Sequence, residues 1–154
     1  MARSLAPVCD HPFCRELLRP AGRRVVGVAA RACEVCHGSN NLRAVSQLRA
    51  RMLTRGFHHL LVVGGTPSRN QELARLFSGG ADELRVVDGI SGNHTAHQAQ
   101  TNMAWADLVV IWAPAAPLPH KVSDLYTTPL GRRAVVVRRP GIEALVEELL
   151  VRLA

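Results

Sequence analysis

Aromatic side chains are scarce in this chain, which has three Phe, two Trp and one Tyr among its 154 residues. Phe13 is the one aromatic residue in the first 56 positions. Stacking of unpaired bases on aromatic rings is a main source of affinity for single-stranded nucleic acid. The N-terminal third of the chain therefore offers no stacking platform of this kind.

Long apolar runs are also missing. The longest apolar stretch, 108–118, is interrupted by Pro114 and Pro117 and is shorter than the roughly 20 residues that a membrane-spanning helix needs. The first ten residues, MARSLAPVCD, lack the apolar segment of a signal peptide. We therefore expect a soluble, cytoplasmic protein with no membrane partner. Apolar residues make up 47% of the chain, which suits one compact domain or a small module attached to a modest one.

Charge is unevenly distributed along the chain. Positions 1–56 contain ten arginines against three acidic residues, a net charge of +7, whereas the charges of positions 57–154 cancel. Such asymmetry indicates an acidic partner for the N-terminal part. Four thiolates around one Zn²⁺ would reduce this excess by about two charges.

All four cysteines lie within the first 36 residues, in the pattern C-x4-C-x18-C-x2-C. Close pairs let one turn of backbone present two sulfur ligands to a metal. We expect a hairpin between the pairs, with 23–30 as its returning strand, and a turn with positive φ at Gly38. The pattern predicts a structural Zn²⁺ in a zinc-ribbon or treble-clef-like module over 1–38. The predicted ligands are Cys9, Cys14, Cys33 and Cys36.

Other chemistry fits these residues less well. Two disulfides are not expected in a cytoplasmic chain, and a redox C-x-x-C would leave one of the two pairs unexplained. Cys9 and Arg15 have the C-x5-R spacing of cysteine-dependent phosphatases, but the residues between them lack the glycines of such a loop. His11 or His37 could replace one cysteine as a ligand, although a solvated turn histidine is the simpler interpretation of each.

An amphipathic helix is predicted over 39–56, connecting the module to the rest of the chain, with Ser39 or Asn40 as its cap and Gly56 at its end. Its apolar face consists of Leu42, Val45, Leu48, Met52 and Leu53. A second face carries Arg43, Gln47, Arg51 and Arg55. We slightly favour a packed helix whose arginines face water. The alternative is a basic ridge that binds a nucleic-acid backbone or an acidic protein surface.

Residues 57–154 alternate between apolar runs and helical patterns, which predicts an α/β domain with right-handed crossovers. The strands are expected at 60–63, 84–87, 108–112 and 134–137, and the helices at 68–77, 93–105, 120–126 and 142–153. The first and third strands are wholly apolar, as is typical of central strands covered on both faces. We expect a four-stranded parallel sheet of order 2-1-3-4, as in small flavodoxin-like and Rossmann-like folds.

Ligands of open α/β sheets bind at the carboxyl ends of the strands, where the strand order reverses. The candidate ligand-binding residues there are Gly64, Gly65, Thr66, Ser68, Arg69, Asp88, His120 and Lys121. Two glycines before a helix start, with hydroxyls and an arginine, are typical of an anion cradle. The alternative is a turn that only starts a helix, with Thr66 as cap, Pro67 in the first turn and Ser68-x-x-Gln71 as a capping box. No standard nucleotide fingerprint is present.

Catalytic candidates are few. Asp88, His94 and His120 could act as acid or base. His94 and His97, from one helix face, could also bind a second metal together with Asp88 or His120. Histidines at a helix start are more often caps or solvated groups. No convincing nucleophile–base–acid triad is present, so the catalytic residues stay unknown.

Four motifs between residues 58 and 139 resemble a bacterial Rossmann-like family of unknown function. They are Val62-Val63-Gly64-Gly65, Asp88-Gly89, Ala106-Asp107-Leu108-Val109 and His120-Lys121. The last motif matches only in part, because Pro119 stands where the family has Ser. The resemblance implies the fold and a ligand site at the strand ends, without an established reaction.

Three functions are open. The first is binding of a nucleotide or another phosphorylated small molecule at the strand ends. The second is an adaptor for nucleic acid or an acidic protein, through the basic N-terminal part. The third is hydrolysis of a nucleotide derivative. Each is compatible with an oligomer, and the sequence favours them in this order.

Overall fold

The computed structural model describes residues 5–18, 23–77, 83–88, 95–113, 120–130 and 134–154. Six strands, six helices and one 3₁₀ turn, Ala30–Ala32, occur in these ranges. The strands are β1 (Leu5–Val8), β2 (Arg24–Gly27), β3 (Leu60–Gly64), β4 (Leu84–Val87), β5 (Leu108–Trp112) and β6 (Val135–Val137). The helices are α1 (Pro12–Leu18), α2 (Asn40–Thr54), α3 (Pro67–Leu76), α4 (Ala96–Trp105), α5 (His120–Leu130) and α6 (Ile142–Arg152). None of these helices has the length and apolar character that a bilayer crossing requires.

The N-terminal segment forms a sheet of its own. β1 and β2 are parallel, with Leu5 opposite Arg24 and Val8 opposite Gly27. α1 lies between them in the chain, and β2 then runs in the same direction as β1. The hairpin expected between the cysteine pairs is therefore wrong, because a hairpin joins antiparallel strands. The strand expected over 23–30 is present as β2, whereas its parallel pairing with β1 is not predicted by the sequence.

The larger sheet contains four parallel strands in the order β4-β3-β5-β6. The mixed α/β class with a small parallel sheet is thus confirmed. β3 and β5 are buried along their whole length and lie side by side, with Val62 opposite Val110 and Gly64 opposite Trp112. Helices cover both faces of the sheet, so the side chains on both sides of a central strand are buried. A continuous apolar run is therefore typical of such a strand.

The two faces of this sheet have separate cores. Alternate residues of a strand point to opposite faces, so Leu60 and Val62 pack in one cluster and Leu61 and Val63 in the other. The first cluster includes buried residues of α2, α3 and α6, and the second includes residues of α4 and α5. Helices on both faces leave the carboxyl ends of β3 and β5 at one edge, where Gly64 and Trp112 meet.

α2 is a core helix of the larger unit. Ser39 caps it by accepting a hydrogen bond from the Leu42 N–H at 3.1 Å. Val45 and Leu48 are fully buried and share a cluster with Leu145 of α6. Leu53, expected on the apolar face, is instead 62% exposed, because each helical residue turns the face by about 100° and Met52 already fills the buried position.

Candidate metal centre and sheet edge

Four cysteines converge at the end of the small sheet. Cys9 follows β1 directly, Cys14 lies in α1, and Cys33 and Cys36 lie in the turns after Ala30–Ala32. All four side chains are buried, and their sulfur atoms lie within 4.8 Å of one another. The cysteines are free thiols. They could hold a metal ion, as the spacing predicts.

One sulfur–sulfur distance matches the value expected around a tetrahedral zinc ion. Zinc–sulfur bonds of about 2.3 Å in a tetrahedron separate neighbouring sulfurs by about 3.8 Å, and the Sγ atoms of Cys9 and Cys36 are 3.9 Å apart. Nothing but thiols belongs to this group among the described residues. The Nδ1 atom of His11 accepts a hydrogen bond from the Phe13 N–H at 3.2 Å, so this nitrogen serves the local turn.

The turn over 33–38 supplies two of the ligands. The His37 N–H donates to the carbonyl oxygen of Cys33 at 2.9 Å, and the Ser39 N–H donates to that of Cys36 at 2.8 Å. Gly38 has φ +78°, as expected from its position after the second pair. A Cβ atom there would lie 3.1 Å from the Cα of Arg31, so both the conformation and the space require glycine.

The surroundings act differently on the individual thiols. Burial raises the pKa of Cys14 to about 12. Burial also opposes ionisation of Cys33, but hydrogen bonds from backbone groups of Cys9, Cys36 and Val35 lower its pKa to about 6. Backbone donors thus stabilise the thiolate of Cys33, whereas burial disfavours that of Cys14. The thiolate is the form that binds metal.

Arg43 of α2 points at this cluster. Its Nη2 atom donates to the Sγ atom of Cys36 at 3.5 Å, and its Nη1 atom donates to Oδ1 of Asn40 at 3.1 Å. Burial lowers the pKa of Arg43, but hydrogen bonds to Cys36 and Cys14 raise it above its ordinary value. Arg43 is thus half-buried with internal hydrogen-bond partners, which the helical pattern did not predict, and partner binding by this ridge stays a prediction.

The other two arginines on this predicted face of α2, Arg51 and Arg55, differ in whether they have internal partners. Arg55 donates from Nε to the carbonyl oxygen of Leu153 at 3.0 Å and also bonds the carbonyl oxygen of Ala154. Arg51 is exposed, and its side chain has no polar contact within the described parts of the chain. Two of the three arginines thus have internal partners, which the helical period alone could not reveal.

The glycine corner after β3 is closely packed. Gly64 and Gly65 have φ values of +103° and +75°. The Gly65 N–H donates to the carbonyl oxygen of Trp112 at 2.7 Å, and Nδ2 of Asn70 donates to that of Gly64 at 2.8 Å. A Cβ on Gly65 would lie 2.3 Å from Oδ1 of Asn70 and 2.9 Å from Cε3 of Trp112. Neither Asn70 nor Trp112 stands out as a site residue in the sequence.

The start of α3 corrects one sequence expectation. Thr66 is the N-cap and Pro67 the first helical residue, as predicted. Ser68 lies inside the first turn and does not cap the helix, so the Ser68-x-x-Gln71 capping box is wrong. Thr66 makes no side-chain capping bond. The N–H groups of this turn are therefore not used by the Thr66 side chain.

Arg69 reaches across the sheet edge to the start of α6. Its Nη1 atom lies 3.8 Å from the position that a Cβ on Gly141 would occupy. Gly141 has φ +94° and is the N-cap of α6, without a side-chain capping bond. The first turn of α3 contains no acidic residue, and that of α6 contains Glu143. The guanidinium of Arg69, a residue of the first turn of α3, thus lies close to the start of α6.

Among the other predicted site residues, Asp88 lies at the same edge of the sheet as Gly64, because Val87 and Val63 are opposite each other in parallel strands. Asp88 follows β4 directly and is exposed. His120 and Lys121 begin α5, but their side chains are outside the described atoms, as is the whole of His94. His97 is exposed on α4. The predicted facing of Gly64–Gly65 and His120–Lys121 across one gap therefore stays a prediction.

Comparisons of the chain with protein-family models, with curated proteins and with solved structures give no match. The resemblance to a bacterial Rossmann-like family therefore stays a prediction. The chemistry of the cysteine cluster and of the sheet edge is what bears on function.

Proposed function

We propose that Cys9, Cys14, Cys33 and Cys36 bind one structural Zn²⁺ that holds the N-terminal segment in its fold. The observation that carries this proposal is the convergence of four buried sulfur atoms within 4.8 Å. Four soft ligands in a tetrahedral arrangement suit zinc, and a complete set of four leaves no position for a substrate. The metal would supply cross-linking of the chain rather than a reaction.

The composition of the N-terminal core supports this proposal. Its buried cluster has six residues, of which four are the cysteines and the others are Ala6 and Val8. All residues of β2 are exposed. A two-stranded sheet with so small an apolar core is marginal in water. Metal binding then supplies the free energy that hydrophobic burial does not.

Metal analysis tests the proposal. Protein purified without added metal should contain one zinc per chain, and its four thiols should react slowly with a thiol reagent until a chelator is added. Cys33→Ser should lower the zinc content and expose the remaining thiols. Metal-free protein with four reactive thiols, or with two disulfides, would contradict the proposal. Iron in place of zinc would contradict the identity of the metal.

As a second function we propose that the Rossmann-like sheet binds a phosphorylated small molecule, such as a nucleotide, at the edge formed by Gly64–Arg69. The observation that favours it is the position of Arg69 beside the N-cap of α6. The N-terminal end of a helix carries a partial positive charge. An anion bound there would contact both the Arg69 guanidinium and this partial positive charge.

The packing at Gly65 narrows the proposed contact region. Asn70 and Trp112 already approach Gly65 closely, so the phosphate would contact Ser68, Arg69 and the N–H groups of the first turn of α3. The proposed ligand set otherwise keeps Gly64, Thr66, Asp88, His120 and Lys121.

A binding experiment tests this second function. Nucleotides and sugar phosphates should raise the melting temperature, whereas the corresponding nucleosides and free sugars should not. Arg69→Gln should weaken binding about tenfold or more, since a hydrogen bond to a charged group contributes about 1.5–3 kcal/mol. Arg75→Gln, which removes an exposed charge from the last turn of the same helix, is the matched control. Equal affinity in both variants would contradict the proposal.

The other two functions have less support. Arg43 and Arg55, two of the three arginines in the predicted basic ridge, make internal hydrogen bonds. In the described part of the chain, Arg51 is the arginine of this ridge whose side chain is left to contact nucleic acid or an acidic protein. Hydrolysis by Asp88, His94 or His120 stays a prediction, because His94 and the side chain of His120 are outside the described atoms.

A further inference from the structure

We infer that Arg43 is a positioning residue of the metal centre, which holds the Cys36 sulfur in place and offsets part of the negative charge of the metal–thiolate group. This inference rests on the proposed function, since it requires a metal ion on the four cysteines. Neither the cysteine spacing nor the helical period of α2 assigns such a role to Arg43.

The start of α2 fixes Cys36 at two atoms. The Ser39 N–H binds the Cys36 carbonyl oxygen, and one turn later Arg43 binds the Cys36 sulfur. Asn40 accepts a hydrogen bond from Nη1 of Arg43, which orients the guanidinium. The Arg43 N–H donates to the carbonyl oxygen of Ser39 at 3.0 Å. Backbone and side chain of one ligand are thus held by the same helical turn.

The charges match. A zinc ion with four thiolates has a formal charge of about −2, and a buried group of that charge is stabilised by a nearby cation. Nε of Arg43 is buried and has no hydrogen-bond partner among the described residues. A thiol is a weak acceptor, whereas a thiolate is a strong one. The partly buried guanidinium is therefore better compensated beside metal-bound sulfur than beside neutral thiols.

Another arginine near the cluster does not share this role. Arg15 donates from Nε to the carbonyl oxygen of Cys9 at 3.3 Å and from Nη2 to Asp10 at 3.1 Å. It stabilises the loop that carries Cys9, whereas Arg43 has a sulfur atom as its acceptor. Arg51, two turns after Arg43 on the same helix, is exposed and supplies the matched control.

Cobalt substitution provides a test that a purely structural role would not pass. Hydrogen bonds to a ligand sulfur lower the energy of its filled orbitals, so their loss should move the thiolate-to-cobalt charge-transfer band to longer wavelength. We expect Arg43→Gln to move this band and to weaken Co²⁺ and Zn²⁺ binding about tenfold, as for other groups that contact metal ligands. Arg51→Gln should change neither property.

Two further variants make the result decisive. Arg43→Lys keeps a cation and should recover part of the affinity. Asn40→Ala removes the orienting partner and should shift the band in the same direction but less, which decides the matter if Arg43→Gln does not fold. An unchanged band and affinity in Arg43→Gln and Asn40→Ala would overturn the inference while leaving the zinc site intact. A wild-type protein that binds no Co²⁺ or Zn²⁺ would overturn the zinc proposal itself.

Discussion

The side chain of Arg55 donates a hydrogen bond to the carbonyl oxygen of Leu153, 98 residues further along the chain. Arg55 is the C-cap of α2 and Leu153 is the C-cap of α6. A guanidinium at the end of α6 also complements the negative end of the helix dipole. The contact joins the ends of two helices that share one buried cluster.

Arg55→Gln should therefore lower the free energy of unfolding by about 1–2 kcal/mol, because it removes a charged hydrogen bond and a favourable charge at a helix C-terminus. Urea denaturation monitored by circular dichroism measures this loss. Arg51→Gln changes the charge of the same helix by the same amount and should have almost no effect. Equal stability of the two variants would contradict a capping role of Arg55.

Gly65→Ala should lower the free energy of unfolding by roughly 2–4 kcal/mol, since it combines a strained left-handed conformation with overlap against Asn70 and Trp112. Gly56 is the control, because it has φ +72° but nothing within 4 Å of an added Cβ. Gly56→Ala should lose only about 1 kcal/mol. Urea titration of both variants separates backbone strain from packing, and equal losses would mean that the corner is not closely packed.

Leu48→Ala should be strongly destabilising, by about 2–5 kcal/mol, since Leu48 is fully buried in the cluster that α2 shares with the larger sheet. Leu53→Ala, on the same helix but 62% exposed, should lose no more than about 0.5 kcal/mol. Thermal and urea unfolding of both variants check this contrast. Similar losses at the two positions would indicate that α2 is rotated about its axis.

Removal of the metal should loosen the N-terminal segment before it affects the larger sheet. After treatment with a chelator, amide hydrogen exchange should accelerate in β1 and β2, because their cluster consists mainly of the cysteines. β3 and β5 are buried along their length and should stay protected. Exchange that accelerates equally in both sheets would contradict this difference in stability.

The sequence predicts best what depends on local pattern. The continuous apolar runs at 60–63 and 108–112 predict buried strands, and β3 and β5 occur there. The cysteine spacing likewise predicts the convergence of four sulfurs. In both cases the residue pattern has few other stable arrangements. Long apolar strands must be covered on both faces, and two closely spaced cysteine pairs are a typical set of metal ligands.

The sequence predicts poorly what depends on how separate elements pack. β1 and β2 are too short for their pattern to fix direction or register, so their parallel pairing is not foreseen. Arg43 and Arg51 lie on the same predicted face of α2, so the helical period does not distinguish them. Their roles differ because the cysteine cluster lies beside Arg43. No sequence pattern marks Asn70 as important, because its contacts with Gly64 and Gly65 form only in the folded turn between β3 and α3.

Cys36 and the first residue of α2 are separated only by the turn at 37–39, in which Ser39 bonds both to Cys36 and to the helix. No flexible linker therefore separates Cys36 from α2, whose buried side chains belong to the larger core. A displacement of the N-terminal segment would therefore be transmitted to the larger sheet through α2. Rotation of the segment as an independent body would first require the N-terminal turn of α2 to unfold.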